Sequence, residues 1–343
     1  MTFTPVEPGD AAAVAISADL SNAASAVDDP HELPSLPESM ALDLTYGWDL
    51  EPSHLWLYTP DGADAPVGML QTSASERDNR HAMNVGVVVH PAHRRHGHGT
   101  AILTEGLRRA AEAGRTTIWA GAHDGDTAAT ALAARFGFTL ATREARRTQN
   151  LTAIDGAAVD RLFAEATHRA GDYIVERRQG LPTPDELLAD LVAVTESIND
   201  APMGELSWER EVFDLQRLRD FETAQAGRRN RLYRIFARHK GSGEIGGHTI
   251  VAVNDFWPAR AWQLDTAVHH DHRGHRLGAL LKITMMRWIA EAEPTVREID
   301  TWNNADNDYM ISINEQIGYR LTGLFTEWEL RAPRSNRPTR LRS

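Results

Sequence analysis

Residues 89–99 read VHPAHRRHGHG, and residues 268–278 read VHHDHRGHRLG; we call them the first loop and the second loop. The second loop lies 179 positions after the first, and the two agree at six of eleven positions. Each loop follows a run of strand-type residues, at 83–89 and 261–268, and precedes a run with helical periodicity. A repeat that keeps both order and spacing indicates a duplicated structural unit.

The repeat continues beyond the two loops. A second strand-type run lies at 116–120 in the first copy and at 298–302 in the second. A helical run then ends in Phe-Gly-Phe at 136–138 or in Ile-Gly-Tyr at 317–319. The sequence therefore predicts a strand, loop, helix, strand and helix in each copy.

Three segments follow from the repeat. Residues 1–152 are predicted to form an N-terminal domain, which we call the first half, and residues 153–332 a C-terminal domain, the second half. The division falls after the strand-like run that ends near residue 151, before the turn-forming pair Asp155-Gly156. The basic, proline-containing segment 333–343 is predicted to be a disordered tail.

Composition restricts the classes of function. The chain has 343 residues, of which 42% are hydrophobic, enough for packed cores in two domains. No cysteine is present, which excludes disulfides, thiolate zinc sites and a cysteine nucleophile. A net charge of −12 argues against nucleic acid as a partner, and no apolar run of about 18 residues predicts a membrane span. The start of the chain does not resemble a secretory signal, so we expect a cytoplasmic protein.

The position of each loop, between a strand and a helix, is typical of an anion site. Such a loop directs backbone N–H groups toward one point at the positive end of a helix dipole. Glycine allows the backbone to approach the ligand closely, and arginine adds charge-assisted hydrogen bonds to phosphate oxygens. The predicted ligand-binding residues are Arg94, Arg95, Gly97, His98, Gly99 and Thr100 in the first loop and its helix start, and Arg273, Gly274, His275, Arg276, Gly278 and Ala279 in the second.

The pattern Val-x-Val-x-Pro-x-x-Arg-Arg-x-Gly-x-Gly at residues 87–99 resembles the acetyl-CoA loop of the GNAT N-acetyltransferase superfamily. The run ALAARFGF at 131–138 resembles that family's later helix. The second loop, together with DAPMG at 200–204 and NEQIGY at 314–319, is similar to a variant common in tandem actinobacterial GNAT proteins. The two-domain arrangement is similar to that of mycothiol synthase.

The resemblance implies an α/β (α+β) fold of two tandem GNAT-like domains. Each would be a mixed, mostly antiparallel sheet flanked by helices, with the fourth and fifth strands splayed around the acyl thioester. It implies acetyl-CoA as co-substrate and transfer of the acetyl group to an amine. A backbone N–H of the fourth strand would hold the thioester carbonyl; the matching residues are Val87 and Val89 in the first half, and Ala267 and Val268 in the second.

Acyl transfer to an amine needs a base near the splayed strands. In the second half, Asp265 on the fourth strand and Glu327 on a late strand are candidates, and both are equally consistent with solvent-facing strand carboxylates. The corresponding run 83–89 of the first half contains no acid, and its Asn84 cannot act as a base.

Many GNAT enzymes place a tyrosine four residues before the glycine of the later helix, where it protonates the departing thiolate. Here those positions hold Ala133 and Asn314, so both halves depart from the pattern. Tyr309 would replace the tyrosine only if its helix turned it toward the sulfur. Asn304, Asn307 and Asn314 are predicted to lie near one helix face and to bind the pantetheine arm, although the first two also fit simple N-capping.

The acids, the asparagines and several aromatic residues favour the second half as the site of chemistry. The first half would then bind acetyl-CoA without turnover, or serve only as structure. We expect a small amine, antibiotic-like or metabolic, as acceptor; a protein N-terminus or lysine is the alternative within enzymes. The missing tyrosines also fit a catalytically silent acyl-CoA-binding protein. We expect a monomer or homodimer.

Fifteen histidines, eight of them in or beside the two loops, suggest a metal. Because those eight lie in an anion-binding context and no cysteine accompanies them, we expect no metal.

Overall fold

The computed structural model describes residues 1–331, so the predicted disordered tail at 333–343 lies outside the described residues. The first half contains β1 (Thr2–Pro5), α1 (Ala11–Asp28), α2 (Pro37–Tyr46), β2 (His54–Thr59), β3 (Gly68–Ser73), β4 (Ala82–Val89), α3 (His98–Glu112), β5 (Thr117–His123), α4 (Thr127–Phe136) and β6 (Thr139–Asn150). The second half contains α5 (Gly156–Arg169), β7 (Tyr173–Gln179), α6 (Asp185–Glu196), α7 (Leu215–Gly227), β8 (Asn230–His239), β9 (Ile245–Asn254), β10 (Arg260–Val268), α8 (Leu277–Ala292), β11 (Glu298–Asn304), α9 (Asp308–Gln316) and β12 (Tyr319–Arg331).

Aspartates begin several of these helices. Asp126, Asp155 and Asp214 lie at the N-caps of α4, α5 and α7, and each accepts a hydrogen bond from a backbone N–H of the first turn. The side-chain oxygen satisfies an amide that has no partner inside the helix. At the other end of α4, Gly137 adopts φ 81°, a left-handed conformation that suits glycine and ends the helix.

All twelve strands join one sheet in the order β1-β2-β3-β4-β5-β12-β6-β11-β10-β9-β8-β7. Only the pairs β4–β5 and β10–β11 run parallel among these strands; the others are antiparallel. The fold class expected from the sequence is therefore confirmed, with the difference that the two predicted sheets are continuous.

The continuity results from an exchange of strands between the halves. The last strand of the second half, β12, pairs with β5 of the first half, and the last strand of the first half, β6, pairs with β11 of the second. The two exchanged strands also pair with each other in the middle of the sheet.

Helices cover both faces of the sheet. On one face, α3 and α4 bury Leu70, Ile102 and Phe138, and α5 and α8 bury a larger cluster that includes Tyr233 and Ile283. On the other face, α1 and α2 cover the first half, and α6 and α7 cover the second. Among residues 1–331, no helix combines the length and the apolar character needed to cross a membrane.

We expect a fragment of residues 1–152 to be unfolded or aggregated on its own. Without the second half, both edges of β6 and one edge of β5 have no partner strand, and unpaired edges favour aggregation. Coexpression with residues 153–343 should restore a soluble complex, measured by size-exclusion chromatography and circular dichroism. A cooperative thermal transition of the isolated fragment would show that the exchange is dispensable.

Candidate functional site

The two loops have the same backbone conformation although their glycines differ. In the first loop, Arg95 and Gly97 have φ of 69° and 85°; in the second, Gly274 and Arg276 have φ of 86° and 58°. Both positions are left-handed in both loops, and each loop carries one glycine and one arginine there in opposite order. A left-handed non-glycine residue costs about 1–2 kcal/mol, so the loop geometry is retained at a cost in both halves.

Each loop leads into a helix whose N-terminus is open. Gly97 is the N-cap of α3 and Arg276 is the N-cap of α8, and neither provides a side-chain hydrogen bond to the first turn. Gly99 and Gly278 follow within that turn, together with Thr100 and Ala279. The first amides of both helices therefore keep the arrangement that binds an anion.

The first arginine of each loop is bound within the protein. Arg94 donates to both carboxylate oxygens of Asp28, at 2.7 and 2.6 Å, and its Nε donates to the Val89 carbonyl. Arg273 likewise donates to Asp200, at 2.5 Å, and to the carbonyl of Val268, at 3.3 Å. The geometry gives these two arginines a role in tying each loop to a distant part of the chain, because Asp28 is the last residue of α1 and Asp200 follows α6. Their direct contact with phosphate stays a prediction.

The remaining loop side chains differ in their surroundings. Arg95 is exposed, whereas Arg276 pairs with Glu165 at 2.8 Å. His98 Nδ1 lies 3.3 Å from the Tyr58 hydroxyl, and burial lowers its pKa, with the neighbouring histidines adding to the effect. His275 Nδ1 lies 3.2 Å from the carbonyl oxygen of the residue three positions before it.

The splay that the resemblance implies is present in both halves. Strands β4 and β5 pair only over Ala82–Asn84 and Thr117–Trp119, and β10 and β11 pair only over Arg260–Trp262 and Glu298–Asp300. Beyond those residues the strands separate. Val87, Val89, Ala267 and Val268 all lie on the separated parts.

Asp265 lies on the separated part of β10, at a β-bulge. The register of β10 against β9 shifts between Gln263 and Thr266, so two residues of β10 oppose one of β9. The carboxyl is half-buried, and burial raises its pKa to about 6, with Glu211 adding to the rise and Arg234 opposing it. A carboxylate with this pKa is suited to accept a proton near neutral pH.

Glu327 does not join Asp265, which corrects the expectation that it belongs to the cleft of the second half. Because of the strand exchange it lies opposite Gly121 of β5. Three strand positions separate β12 from β10, about 14 Å at the usual spacing. Glu327 instead lies at the splay of the first half, where burial raises its pKa.

A neighbour of Glu327 was not singled out from the sequence. Glu144 lies on the other exchanged strand, and burial followed by the charge of Glu327 raises the pKa of Glu144 to about 7. Gly121 lines a cavity of about 210 Å³ between β4 and β5. Glu327 thus lies beside a residue that lines this cavity, whereas β4 itself carries no acid.

The three asparagines do not share a helix face, contrary to the expectation. Asn304 is the last residue of β11 and donates to Thr142 Oγ1 at 2.6 Å. Asn307 is the N-cap of α9, so its N-capping alternative is confirmed. Asn314 is fully buried and donates to Asn303, while its Oδ1 has no partner among residues 1–331. Their separation follows from the late start of α9, which excludes the first asparagine from the helix.

Tyr309 is 68% exposed on α9 and lies away from the protein interior. Lys282 is a buried group that the sequence analysis did not assign to a role. It is 3% exposed on α8, its Nζ lies 5.2 Å from the centre of the Tyr319 ring, and burial lowers its pKa to about 7. An ammonium group with such a pKa can give up a proton at neutral pH.

Of the loop histidines, His269 and His270 lie near Asp271 with one potential ligand atom each, all within 4.8 Å of one another. Two of the three are exposed, and the absence of a metal stays a prediction.

Comparison with known proteins identifies the family to which part of the chain is similar. Residues 22–138 match the model of the Acetyltransferase (GNAT) family. Over 92 residues, 26% of this chain, the sequence is 42% identical to mycothiol acetyltransferase of Saccharomonospora viridis, and this match spans 28% of that relative.

The fold extends the similarity to the whole chain. A tandem GNAT protein from the clavulanic acid biosynthesis pathway matches with a TM-score of 0.78 and 25% identity, covering 98% of this chain and 99% of that one. A GCN5-related N-acetyltransferase from Sphaerobacter thermophilus has the same fold, with a TM-score of 0.65 and 17% identity over 97% of this chain and 96% of that one. The chain carries a GNAT domain within the architecture of a tandem GNAT protein. Members of this family use acetyl-CoA as co-substrate.

Proposed function

We propose that the protein is an acetyl-CoA-dependent N-acetyltransferase of a small amine, and that acetyl transfer takes place in the second half. The observation that carries the proposal is Asp265, a half-buried residue at the bulge of the splayed strand β10 whose carboxyl pKa is raised by burial to about 6. The same half contains an open helix N-terminus, that of α8, with the geometry that suits the pyrophosphate of acetyl-CoA.

In this proposal the amine attacks the thioester carbonyl directly. Asp265 removes the amine proton, and the new C–N bond forms as the C–S bond breaks. The family resemblance assigns the developing oxyanion to a backbone N–H at Ala267 or Val268. The thiolate must then take up a proton, for which Lys282, one helical turn after Gly278 on α8, is our candidate.

The first half is proposed to bind acetyl-CoA without turnover. Its residue at the position of Asp265 is Gly86, which has no side chain to act as a base. Glu327 and Glu144 reach its cleft from the exchanged strands, and for this reason the assignment of chemistry needs a test in both halves.

A catalytically silent acyl-CoA-binding protein is the second candidate. It is favoured by Ala133 and Asn314, which stand where many GNAT enzymes have a tyrosine. The exposure of Tyr309 favours it as well.

We expect thiol release from acetyl-CoA in the presence of a suitable amine, measured with a thiol reagent against an amine panel. Because the chain contains no cysteine, the protein adds no background to this assay. No turnover with any amine, together with tight binding of acetyl-CoA by calorimetry, would contradict the enzyme proposal and favour the silent binder.

A further inference from the structure

The internal repeat allows residues that line the cleft of the first half to be matched one by one with residues of the second half. The offset of 179 positions that aligns the loops also aligns β2, β3 and β4 with β8, β9 and β10, and the strand registers agree from the loop end of β10 back to its β-bulge, beyond which they differ by one residue. In the first half, Leu55 lies opposite Gln71; in the second, Arg234 lies opposite Ile250. The residues that correspond are Leu55 and Arg234, Met69 and His248, Gln71 and Ile250, and Gly86 and Asp265.

In the first half these positions line open space. Leu55, Met69 and Gln71 line a cavity of about 320 Å³ beneath the α1–α2 connection. Gln71 and Gly86 line the neighbouring cavity of about 210 Å³ at the splay. The sheet face that these residues occupy is therefore the face from which an acceptor reaches the thioester.

In the second half two of these positions, those of Arg234 and His248, hold polar side chains that lack partners among residues 1–331. Arg234 is 5% exposed and its Nη1 has no hydrogen-bond partner in the described part of the chain. His248 is fully buried, and neither of its ring nitrogens has a partner there. Buried polar groups are nearly always hydrogen-bonded, because an unmade bond costs the full desolvation of the group. Two such side chains on neighbouring strands, beside a candidate base, indicate a ligand.

The charges around Arg234 leave it able to bind an anion. Burial lowers the pKa of the Arg234 guanidinium, and the carboxylates of Glu222 and Asp265 oppose this shift. Glu222 Oε2 accepts hydrogen bonds from the Thr183 amide and from Arg219, whereas Glu222 Oε1 is buried and, like Arg234 Nη1, has no hydrogen-bond partner among residues 1–331. The Nη1 of Arg234 therefore remains available to a bound anion, whose oxygens a guanidinium can bind in a bidentate arrangement.

His248 is suited to bind the same anionic group as Arg234. Burial and the charge of Arg234 lower the pKa of His248 to about 3, so the ring is neutral. A neutral imidazole has one N–H donor and one acceptor, and its N–H complements an anionic oxygen without adding a charge.

We propose that the second half binds an amine that also carries an anionic oxygen group, a carboxylate or a phosphate, held by Arg234 and His248 while its nitrogen faces Asp265. This inference rests on the proposed acetyltransferase function and specifies its acceptor. An amino acid or a phosphorylated amine has the required chemistry, whereas a plain cationic amine would leave the arginine unpaired.

The test compares matched amines that differ in the anionic group: amino acids against their decarboxylated amines, and phosphoethanolamine against ethanolamine. We expect the wild-type kcat/KM to favour the anionic member of a pair by about 10- to 150-fold, the size of a hydrogen bond to a charged group. A preference for amino acids over their decarboxylated amines identifies the natural group as a carboxylate. A preference for phosphoethanolamine over ethanolamine identifies it as a phosphate.

Two variants take their new residues from the first half: Arg234→Leu and His248→Met. Each is expected to reduce the anionic preference, Arg234→Leu by about tenfold or more, through a rise in KM for the anionic amine. Replacing a buried unpaired charge by leucine need not destabilise the fold, and His248→Met serves if Arg234→Leu does not fold. The matched control is Arg238→Leu on the same strand, whose guanidinium pairs with Glu176 and Asp190; it should retain the wild-type preference.

Equal use of anionic and neutral amines by the wild type, or an unchanged preference in both Arg234→Leu and His248→Met, would overturn the inference. If no amine is turned over, the proposed function fails. The inference about the anionic group can then still be tested by measuring whether anionic amines bind to the second half. Alanine or phosphoethanolamine should then raise the melting temperature of the wild type more than that of Arg234→Leu. The absence of any such difference would overturn the inference separately.

Discussion

Asp265→Asn is expected to lower kcat for acetyl transfer by about 100- to 10,000-fold, the usual contribution of a general base. Asparagine keeps the size of the side chain and its hydrogen-bonding capacity but cannot accept the amine proton. The measurement is thiol release at saturating acetyl-CoA and amine, with the melting temperature as a check of folding. We expect KM for acetyl-CoA to change little, because the carboxyl lies on the acceptor side of the sheet.

The pH dependence follows from the same group. Asp265 acts as a base only when it is ionised, and its pKa is raised to about 6. Wild-type kcat should therefore fall about tenfold per pH unit below this value, and it should also fall above about 7, where Lys282, the proposed acid, loses its proton. In Asp265→Asn this acidic limb should disappear.

Glu327→Gln provides the contrast. The exchanged strand places Glu327 at the first-half splay, so its loss tests whether the base lies there. Full activity in Asp265→Asn together with inactivity in Glu327→Gln would assign the proton transfer to the first half.

The duplicated loop was predictable because its determinants are local. A strand, a glycine-containing turn and a helix N-terminus occur in sequence order, and the match at six of eleven positions is visible in the printed chain. The exchange of Gly and Arg between the two left-handed positions was not visible. An alignment shows a mismatch at Arg95 and Gly274, whereas the backbone has φ of 69° and 86° at these residues.

The strand exchange was not predictable from local pattern. The run that became β6 and the run that became β12 are equivalent members of the repeat, and alternation of side chains does not specify which sheet edge a strand joins. That choice depends on tertiary contacts such as those of Arg146 on β6, which is buried and pairs with Asp29 at the end of α1. As a result, Glu327 was expected near Asp265 and lies elsewhere.

The sequence contains a pattern that marks the two polar positions of the second-half cleft. Arg234 lies within the apolar run of RLYRIFA, and His248 lies just before the apolar run of GGHTIVAV. An isolated polar residue at an inward-facing strand position marks either a buried hydrogen bond or a site. The sequence does not distinguish the two, since the partner comes from a distant part of the chain.

The most direct test of the central claim, chemistry in the second half, is a pair of matched substitutions, Gly278→Glu and Gly99→Glu. A Cβ at Gly278 would lie 3.5 Å from Ile313, and one at Gly99 would lie 3.5 Å from Leu132, both ordinary contacts. A carboxylate in the first turn of a helix is favourable through the helix dipole, but it would repel the pyrophosphate of acetyl-CoA. Because Gly278 is buried and Gly99 is half-buried, the melting temperature of both variants is measured as a check of folding.

Thiol release should be measured for both variants with the best amine of the panel. We predict that Gly278→Glu lowers kcat/KM by about 100-fold or more, the equivalent of two lost hydrogen bonds to a charged group, while Gly99→Glu stays within about threefold of the wild type. Loss of activity in Gly99→Glu with retention in Gly278→Glu would contradict the account and place acetyl transfer in the first half.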